Sequence, residues 1–314
     1  MFTTLVDILK TARPRQWVKN LTLYAALIFT GNVFSSGLWI AQFWTVTEAV
    51  AAFTLVASAV YFLNDLMDAK ADAAHPFKKK RPIAAGRISK KFAVIMVILL
   101  AGSGLKFAVS LSPLFGLAVA GYFVMMMAYS AWLKHIEVVD VFVIAAGFFL
   151  RVVAGAIVIN AHLSIWFLLC VISTSLFLAV GKRRAELSIL TEHDAAIAHR
   201  KVMGKYSANI LDSYLAMFAT AAFLSWALYT FNFYEELQTT APTSLALISK
   251  TLTVNKWLMV SIPVVIFGIM RYIRIIYEGA RAESPERILF SDKPLLISVG
   301  LWGVIVLFVL YVAH

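Results

Sequence analysis

Long apolar stretches follow one another along most of the chain, and short polar segments separate them. Nine of them approach the roughly 20 residues that a helix needs to cross a bilayer; they lie at 17–34, 43–63, 92–111, 114–133, 138–159, 163–180, 208–231, 257–276 and 295–312. Their apolar residues are consecutive rather than alternating, so they predict helices and not the strands of a β-barrel. We therefore predict an all-α integral membrane protein with nine transmembrane helices, forming one polytopic domain over residues 1–314.

The amino-acid composition agrees with this prediction. Of the 314 residues, 61% are hydrophobic and 14% are charged, whereas a typical soluble domain carries roughly 25% charged residues. The single cysteine, Cys170, lies inside an apolar stretch, and one cysteine cannot form an internal disulfide. These observations exclude a soluble enzyme, a disordered chain and a disulfide-stabilised scaffold.

The basic residues are divided unevenly between the two sides of the predicted bundle. Lys and Arg number 28 against 17 Asp and Glu, a net charge of +11, and 24 of the 28 fall in the amino-terminal segment or near the loops after the even-numbered helices. By the positive-inside rule, the amino terminus is cytoplasmic and the carboxyl terminus is outside. Residues 1–19 lack the apolar core of a signal peptide, so we expect the first helix to remain in the mature protein.

Two of the cytoplasmic loops, 64–91 and 181–206, hold more basic residues than orientation requires, together with acids at ordered spacings. Orientation alone is enough to explain isolated loop lysines. Loops that carry both signs beside a membrane resemble a site for a metal-bound polyanion. We therefore predict that these two loops bind substrate.

The most specific polar pattern lies where the second helix ends. If that helix continues, Asp65, Asp68 and Asp72 fall at positions i, i+3 and i+7, and Asn64 lies four residues before Asp68, so their oxygens share one face. Carboxylates on one face repel each other unless a cation neutralises them, and hard oxygen ligands suit Mg²⁺. The alternative is a solvated helix end whose acids pair with the bases at 78–81.

Basic residues with defined spacing accompany these acids. Two prolines and a glycine within 75–87 shape a loop that would carry Arg81 back toward the acids, where its guanidinium could bind a phosphate through two hydrogen bonds. In the second loop, Lys182 and Glu186 are four residues apart and can pair on a helix face. Arg183 then points elsewhere.

Polar residues inside or at the ends of apolar helices mark the bundle interior. Asp140 and Arg151 are eleven residues apart, about three helical turns, which places them on nearly the same face. An arginine in this position either pairs with an acid or lines a wet cavity. Tyr129, near Lys134, could donate its hydroxyl to a phosphate or belong to the interfacial aromatic belt.

The motif at 64–72 resembles the first aspartate motif of the UbiA superfamily of intramembrane prenyltransferases. Four further segments resemble one branch of it, the decaprenyl-phosphate phosphoribosyltransferases; they are Arg-Pro-Arg-Gln-Trp-Val-Lys-Asn at 13–20, Arg-Pro-Ile-Ala-Ala-Gly at 81–86, Tyr-Ser-x-x-Leu-Lys-His at 129–135 and Gly-Lys-Arg-x-Ala-Glu-Leu at 181–187. Members that transfer prenyl groups usually carry a second Asp-rich motif after the sixth helix. This chain has three bases and one acid there, at 181–186.

The resemblance implies a Mg²⁺-dependent enzyme that transfers 5-phosphoribose from phosphoribosyl diphosphate (PRPP) to decaprenyl or another polyprenyl phosphate. Diphosphate is released, and the lipid product serves the synthesis of arabinan precursors of the cell wall. The expected metal ligands are Asn64, Asp65, Asp68 and Asp72, and the three aspartates are the expected catalytic residues. The expected substrate-binding residues are Lys19, Asn64, Arg81, Tyr129, Lys134, Arg151, Lys182, Arg183 and Glu186.

The expected location is the plasma membrane, with the active site facing the cytoplasm, and a homo-oligomer is compatible with the sequence. Nucleic acid is not an expected partner, because the basic loops are short and lie at a membrane face, where phosphorylated substrates and anionic lipids are the better partners.

Two other functions are compatible with parts of the sequence. A UbiA-type prenyltransferase would join a prenyl diphosphate to an aromatic or lipid acceptor, but it predicts the second acidic cluster that the sequence lacks. A transporter or lipid-binding membrane protein predicts acids deep in several helices or an internal repeat. The sequence offers mainly Asp140, Arg151 and Asp212 and no clear repeat.

Overall fold

The computed structural model of the chain describes residues 2–29, 39–74, 78–191, 206–237, 257–278 and 285–311. Every regular element in these ranges is a helix. The α-helices are α1 (Phe2–Ala12), α2 (Tyr24–Phe29), α3 (Trp39–Met67), α4 (Ala69–Ala74), α5 (Lys90–Leu111), α6 (Pro113–Ala131), α7 (Val139–Val158), α8 (Ile165–Thr191), α9 (Ala208–Leu237), α10 (Ile262–Tyr277), α11 (Pro285–Ser291) and α12 (Lys293–Tyr311). Short 3₁₀-helices cover Pro14–Leu23, Lys78–Lys80, Leu133–His135 and Trp257–Ser261.

Eight helices in the described part of the chain are long and apolar enough to cross a membrane. They are α3, α5, α6, α7, α8, α9, α10 together with the 3₁₀-helix before it, and α12. The all-helical, multi-pass membrane architecture predicted from the apolar stretches is confirmed, whereas the number nine and the orientation stay predictions.

The first predicted span, 17–34, differs from the rest. Its described part is a 3₁₀-helix, Pro14–Leu23, followed by the short α2; residues 30–34 lie outside the described residues. The apolar pattern is interrupted here by Lys19 and Asn20, and Asn20 is fully buried with its side chain hydrogen-bonded inside the bundle. Gly155 on α7 allows this segment to pack closely, because a Cβ at that position would lie 2.1 Å from the Leu23 carbonyl oxygen.

The buried apolar side chains fall into neighbouring clusters along the bundle. One cluster joins α2 and α3 to α5, α6 and α7, around Phe53 and Phe115, and another joins α7, α8, α9 and α10, around Leu211 and Ile276. Large apolar side chains on the outer faces of α5 and α12 are exposed, such as Ile98 and Ile297. Exposure of this kind over whole helix faces is what a lipid-facing surface requires.

The sixth predicted span also differs from its prediction. It was expected to end at residue 180, but α8 continues to Thr191, so the first part of the predicted loop 181–206 is helical. Residues 192–205 of that loop lie outside the described residues. The bases and the acid at 182–186 are therefore carried on a rigid helix rather than on a loop. Together with the end of α3 and the start of α7, this part of α8 supplies several of the polar groups of the candidate site.

Candidate active site

The acidic end of α3 keeps a helical hydrogen-bond pattern beyond the last residue of the helix. The Asp68 amide donates to the Asn64 carbonyl at 2.9 Å, and the Asp72 amide donates to the Asp68 carbonyl at 2.8 Å, which carries the helix into α4. Asp65 and Asp72 are buried, while Asn64 and Asp68 are half-buried. The continuation of the helix, on which the predicted common face depends, is thus present in the backbone.

One arginine joins the two buried carboxylates. Arg81 Nη1 lies 2.6 Å from Asp72 Oδ2 and 3.2 Å from Asp65 Oδ1. The loop that delivers it folds back through a bond from the Ala85 amide to the Arg81 carbonyl and closes at Gly86, whose φ of +72° suits glycine. The structure therefore places Arg81 where the prolines and glycine of this loop were expected to bring it.

A second arginine reaches the same carboxylate from the amino-terminal segment. Arg13 Nη2 lies 2.5 Å from Asp65 Oδ1, and its guanidinium lies 5.1 Å from the centre of the Tyr61 ring. The segment before Arg13 is attached to the same region, since Arg87 Nε donates to Asp7 Oδ2 at 3.0 Å. Arg13 was not among the expected site residues, although it opens the Arg-Pro-Arg segment that resembled the family.

The third acid faces a different base. Lys134 Nζ lies 2.5 Å from Asp68 Oδ1, and the Lys134 side chain is buried on the 3₁₀-helix that follows α6. In the described residues, no three His, Cys, Asp or Glu side chains converge on one metal position. The expected ligand set of Asn64, Asp65, Asp68 and Asp72 is not gathered around one point here, because each carboxylate is neutralised by a base instead.

Asp65 and Asp72 nevertheless fit a divalent cation. Their carboxylates flank a single cationic nitrogen of Arg81, so this position already favours positive charge. Both offer hard oxygen atoms, the donors that Mg²⁺ prefers. These two residues could therefore hold a divalent cation, and Asp68 pairs with Lys134 instead.

A second polar cluster surrounds Arg183, which is only 1% exposed. Its Nη1 lies 2.5 Å from Glu186 Oε2, its Nη2 donates to the Tyr129 hydroxyl at 2.9 Å, and its Nε forms an ion pair with Asp140 Oδ2 at 2.6 Å. The prediction that Arg183 points away from Glu186 is wrong, because three residues along a helix also share a face. Arg183 is thus held inside the bundle, where it donates to the Tyr129 hydroxyl and pairs with the half-buried Glu186.

Tyr129 and Lys182, which both lie near this cluster, differ in how exposed they are. Tyr129 is buried and accepts a hydrogen bond from Arg183, so it does not belong to an interfacial aromatic belt. Lys182 is half-buried on α8, one residue before Arg183. Of the expected substrate-binding groups on α8, Lys182 is therefore the more accessible base.

Asp140, at the start of α7, has a further partner. The Tyr206 hydroxyl donates to Asp140 Oδ1 at 2.8 Å and accepts from the Val138 amide at 2.7 Å. Val138 has a φ of +67°, a rare conformation for a β-branched residue that aims its amide at Tyr206. Burial raises the pKa of Tyr206 above its ordinary value of 10, and the Asp140 carboxylate raises it further. Tyr206 is therefore a neutral hydrogen-bond donor at physiological pH.

Arg151 lies deeper in the bundle and does not meet Asp140. Its guanidinium donates to Asn20 Oδ1 at 2.9 Å, to the Gly147 carbonyl at 2.6 Å and to the Tyr122 hydroxyl at 2.8 Å. In the described residues no carboxylate lies within ion-pair distance of it. Eleven residues of α-helix span about 16 Å, which is too far for a salt bridge to Asp140 even on the same face.

Lys19 and Arg151 lie near the same aromatic ring. Its Nζ lies 5.8 Å from the centre of the Phe148 ring, and the Arg151 guanidinium lies at the same distance from that ring. Asn20 joins this level to α3, because its amide donates to the Thr54 hydroxyl at 2.9 Å. Lys19 and Arg151 thus lie together at the Phe148 ring.

The chain matches a known protein family over most of its length. The model of the UbiA prenyltransferase family matches residues 21–291, which include the acidic helix end, Lys134 and the basic stretch of α8. The chain belongs to the UbiA prenyltransferase family. As a UbiA family member with several long apolar helices, it is a multi-pass membrane transferase.

Two curated relatives of this UbiA family member are named decaprenyl-phosphate phosphoribosyltransferase. The protein of Mycobacterium tuberculosis is 32% identical over 94% of this chain and 91% of its own length. The protein of Mycolicibacterium smegmatis is 33% identical over 94% of this chain and 89% of its own length. A solved structure, a UbiA homolog from Archaeoglobus fulgidus bound to GPP and Mg²⁺, is 20% identical, covers 97% of this chain and 99% of that chain, and has a TM-score of 0.65. That likeness concerns the fold.

Several residues of this UbiA site were missed from the sequence. Asp140 and Tyr206 organise Arg183, while Asn20 and Tyr122 organise Arg151. The sequence indicates Asp140 as an acid at the start of an apolar helix, but its partner depends on how α7 packs against α8. The sequence does not distinguish Tyr206 from other tyrosines, because tyrosine is common at membrane boundaries.

Proposed function

We propose that this chain transfers 5-phosphoribose from PRPP to the phosphate of decaprenyl phosphate or another polyprenyl phosphate. The products are polyprenylphosphoryl-5-phosphoribose and diphosphate, and the lipid would serve the synthesis of arabinan precursors of the cell wall. The observation that carries the proposal is the similarity, over 94% of the chain, to relatives named for this activity. The absence of an acidic cluster from the described part of α8 after residue 180 supports it over transfer of a prenyl group.

The acidic cluster suits the diphosphate of PRPP. Asp65 and Asp72 would hold Mg²⁺, which when bound would neutralise the diphosphate as the anomeric C–O bond breaks. Arg81 contacts both carboxylates through Nη1 alone, so another of its guanidinium nitrogens can turn toward a phosphate oxygen. The aspartates would thus bind the metal cation, and the neighbouring arginine would bind the phosphate anion.

The lipid phosphate needs no strong general base. It is already ionised at neutral pH and can attack the anomeric carbon, which has oxocarbenium character, from the face opposite the leaving diphosphate. Lys134, which pairs with Asp68, and the half-buried Lys182 and Lys19 are the cations that could hold the phosphates of acceptor or donor. Catalysis then depends on positioning and on neutralising charge.

We further propose that the protein resides in the plasma membrane with the acidic cluster on the cytoplasmic side. The concentration of 24 of 28 basic residues on the side that carries 64–91 and 181–206 supports this orientation. PRPP, a highly charged solute, would reach the site from the cytoplasm, and the polyprenyl phosphate would reach it from the bilayer. Homo-oligomer formation stays a prediction.

The experiment that tests this function compares two donors. The purified full chain in detergent, with Mg²⁺ and decaprenyl phosphate, is given PRPP labelled in the ribose, and in parallel a labelled prenyl diphosphate with an aromatic acceptor. We expect a labelled, organic-soluble phosphoribosyl lipid from PRPP alone. Product from the prenyl diphosphate, with none from PRPP, would contradict the proposal and favour the prenyltransferase alternative.

A further inference from the structure

Two arginines share one oxygen atom of Asp65. Arg13 Nη2 lies 2.5 Å and Arg81 Nη1 lies 3.2 Å from Asp65 Oδ1. The Asp65 side chain is 3% exposed, whereas those of Arg13 and Arg81 are 28% and 27% exposed. A cation that binds Asp65 Oδ1 therefore competes with two guanidinium groups for it.

The two arginines are not equally committed to Asp65. Arg81 is closer to Asp72, at 2.6 Å, than to Asp65. Because a carboxylate has two oxygens, Arg81 can keep one oxygen of Asp72 while the other holds a metal ion. Among the residues that the structure describes, Asp65 is the carboxylate that pairs with Arg13, and the guanidinium also lies over the face of the Tyr61 ring. Arg13 is thus the arginine that needs a new anionic partner when a cation displaces it from Asp65.

The backbone holds Arg13 in this position at a cost. Arg13 has φ 54° and ψ 65°, the left-handed conformation that residues with a Cβ rarely adopt. Its amide donates to the Leu9 carbonyl at 3.1 Å, and the Trp17 indole donates to the Ala12 carbonyl at 3.0 Å. The chain before and after Arg13 is therefore fixed, and the unfavourable conformation aims its side chain at Asp65.

We propose that Arg13 is an exchangeable counter-ion of Asp65. In the substrate-free protein it neutralises the carboxylate, and when Mg²⁺ and PRPP bind together it passes to a phosphate oxygen of the diphosphate. A metal ion that displaces Arg13 from Asp65 leaves the guanidinium without the carboxylate that it pairs with in the described residues. A metal ion with diphosphate supplies both a cation for Asp65 and an anion for Arg13, so the ion pairs are exchanged rather than lost.

This inference rests on the proposed function only for the identity of the diphosphate. It assigns Arg13 two effects that a purely structural residue would not combine. Arg13 lowers the affinity of the substrate-free protein for a divalent metal, and it raises the affinity for PRPP.

The test measures metal binding without substrate. Mn²⁺, which prefers the same oxygen ligands as Mg²⁺, is titrated by electron paramagnetic resonance into the full chain in detergent. We expect the Arg13→Gln variant to bind Mn²⁺ about tenfold tighter than the wild type, because a competing cation is removed, and to show a higher KM for PRPP. Arg15→Gln is the matched control, since Arg15 is exposed two residues away; it should leave both quantities unchanged.

Mn²⁺ affinity of Arg13→Gln equal to or weaker than that of the wild type would overturn the inference, even if labelled lipid is formed as proposed. If neither protein binds Mn²⁺ and no labelled lipid appears, both the inference and the proposed function fail. Should Arg13→Gln not fold, Arg13→Lys replaces it. Its single ammonium group pairs less well with Asp65, so we expect about threefold tighter Mn²⁺ binding, and unchanged affinity would overturn the inference.

Discussion

Arg81 and Asp72 are joined across nine positions of the chain by a hydrogen bond of 2.6 Å from Nη1 to Oδ2. The same nitrogen reaches Asp65, so one guanidinium couples two buried carboxylates. Both acids thus pair with Arg81, but of the two only Asp65 also pairs with Arg13.

The first prediction concerns these acids. Asp65→Asn and Asp72→Asn should each lower the rate of lipid labelling at least about 100-fold, because an amide neither binds Mg²⁺ as a charged ligand nor balances the arginines. The melting temperature should change much less than the rate. Labelled lipid is quantified after extraction, and Glu278→Gln, which alters an exposed acid paired with Arg274, serves as the control. Mg²⁺-dependent turnover near the wild-type rate in either Asn variant would remove the metal assignment.

The second prediction concerns Lys134. Its contact with Asp68 is a charge-assisted hydrogen bond in a largely buried position, and such bonds contribute about 1.5–3 kcal/mol. Lys134→Gln should therefore lower kcat/KM for transfer by about 10- to 100-fold. Steady-state kinetics with varied PRPP and varied polyprenyl phosphate show which KM rises. Lys106→Gln, on the exposed surface of α5, should have no effect, and an equal loss in both variants would argue against a role for Lys134 in the site.

The third prediction concerns stability. Asp140→Ala leaves the buried Arg183 with one carboxylate fewer, and breaking a buried ion pair typically costs about 3 kcal/mol or more. Thermal unfolding in detergent should show a clearly lower melting temperature. The exposed pair of Arg274 and Glu278 provides the comparison, since Arg274→Gln should change the free energy of unfolding by about 1 kcal/mol or less. Equal melting temperatures for the two variants would show that Arg183 does not depend on Asp140.

The fourth prediction concerns pH. Below pH 10 Tyr206 is neutral in the folded and unfolded states, so its ionisation contributes nothing to stability. Above pH 10 the unfolded chain loses this proton while the raised pKa keeps it on the folded protein, so the free energy of unfolding falls as pH rises. The wild type should lose more stability between pH 9 and pH 11 than Tyr206→Phe. Parallel unfolding curves for the two proteins over this range would contradict the prediction.

The sequence predicted the parts of the fold and site that depend on local order. Continuous apolar stretches identify the spans of α3, α5, α6, α7, α8, α9, α10 and α12, because each helix satisfies its own backbone. The acids at the end of α3 and the loop that returns Arg81 lie within 17 positions of each other. Turn chemistry and helical spacing are sufficient to bring such close neighbours together.

Pairings between distant segments could not be predicted in the same way. Arg13 meets Asp65 across 52 positions, and Arg183 rather than Arg151 meets Asp140. Which arginine pairs with which acid depends on which helices pack together and at what depth. Charge alone does not distinguish one arginine from another. The 3₁₀ segment at Pro14–Leu23 was missed for a related reason, since Asn20 finds its partners on α3 and α7 only after the bundle forms.

The most direct test of the central claim follows the two phosphate-bearing ends of PRPP separately. The purified chain is given Mg²⁺, decaprenyl phosphate and PRPP labelled with ³²P either on the 5-phosphate or on the β-phosphate of the diphosphate. The account predicts that the 5-phosphate label enters the lipid fraction while the β-phosphate label remains in the aqueous phase as diphosphate. Lipid that carries the β-phosphate label, or that carries neither label, would contradict transfer of 5-phosphoribose.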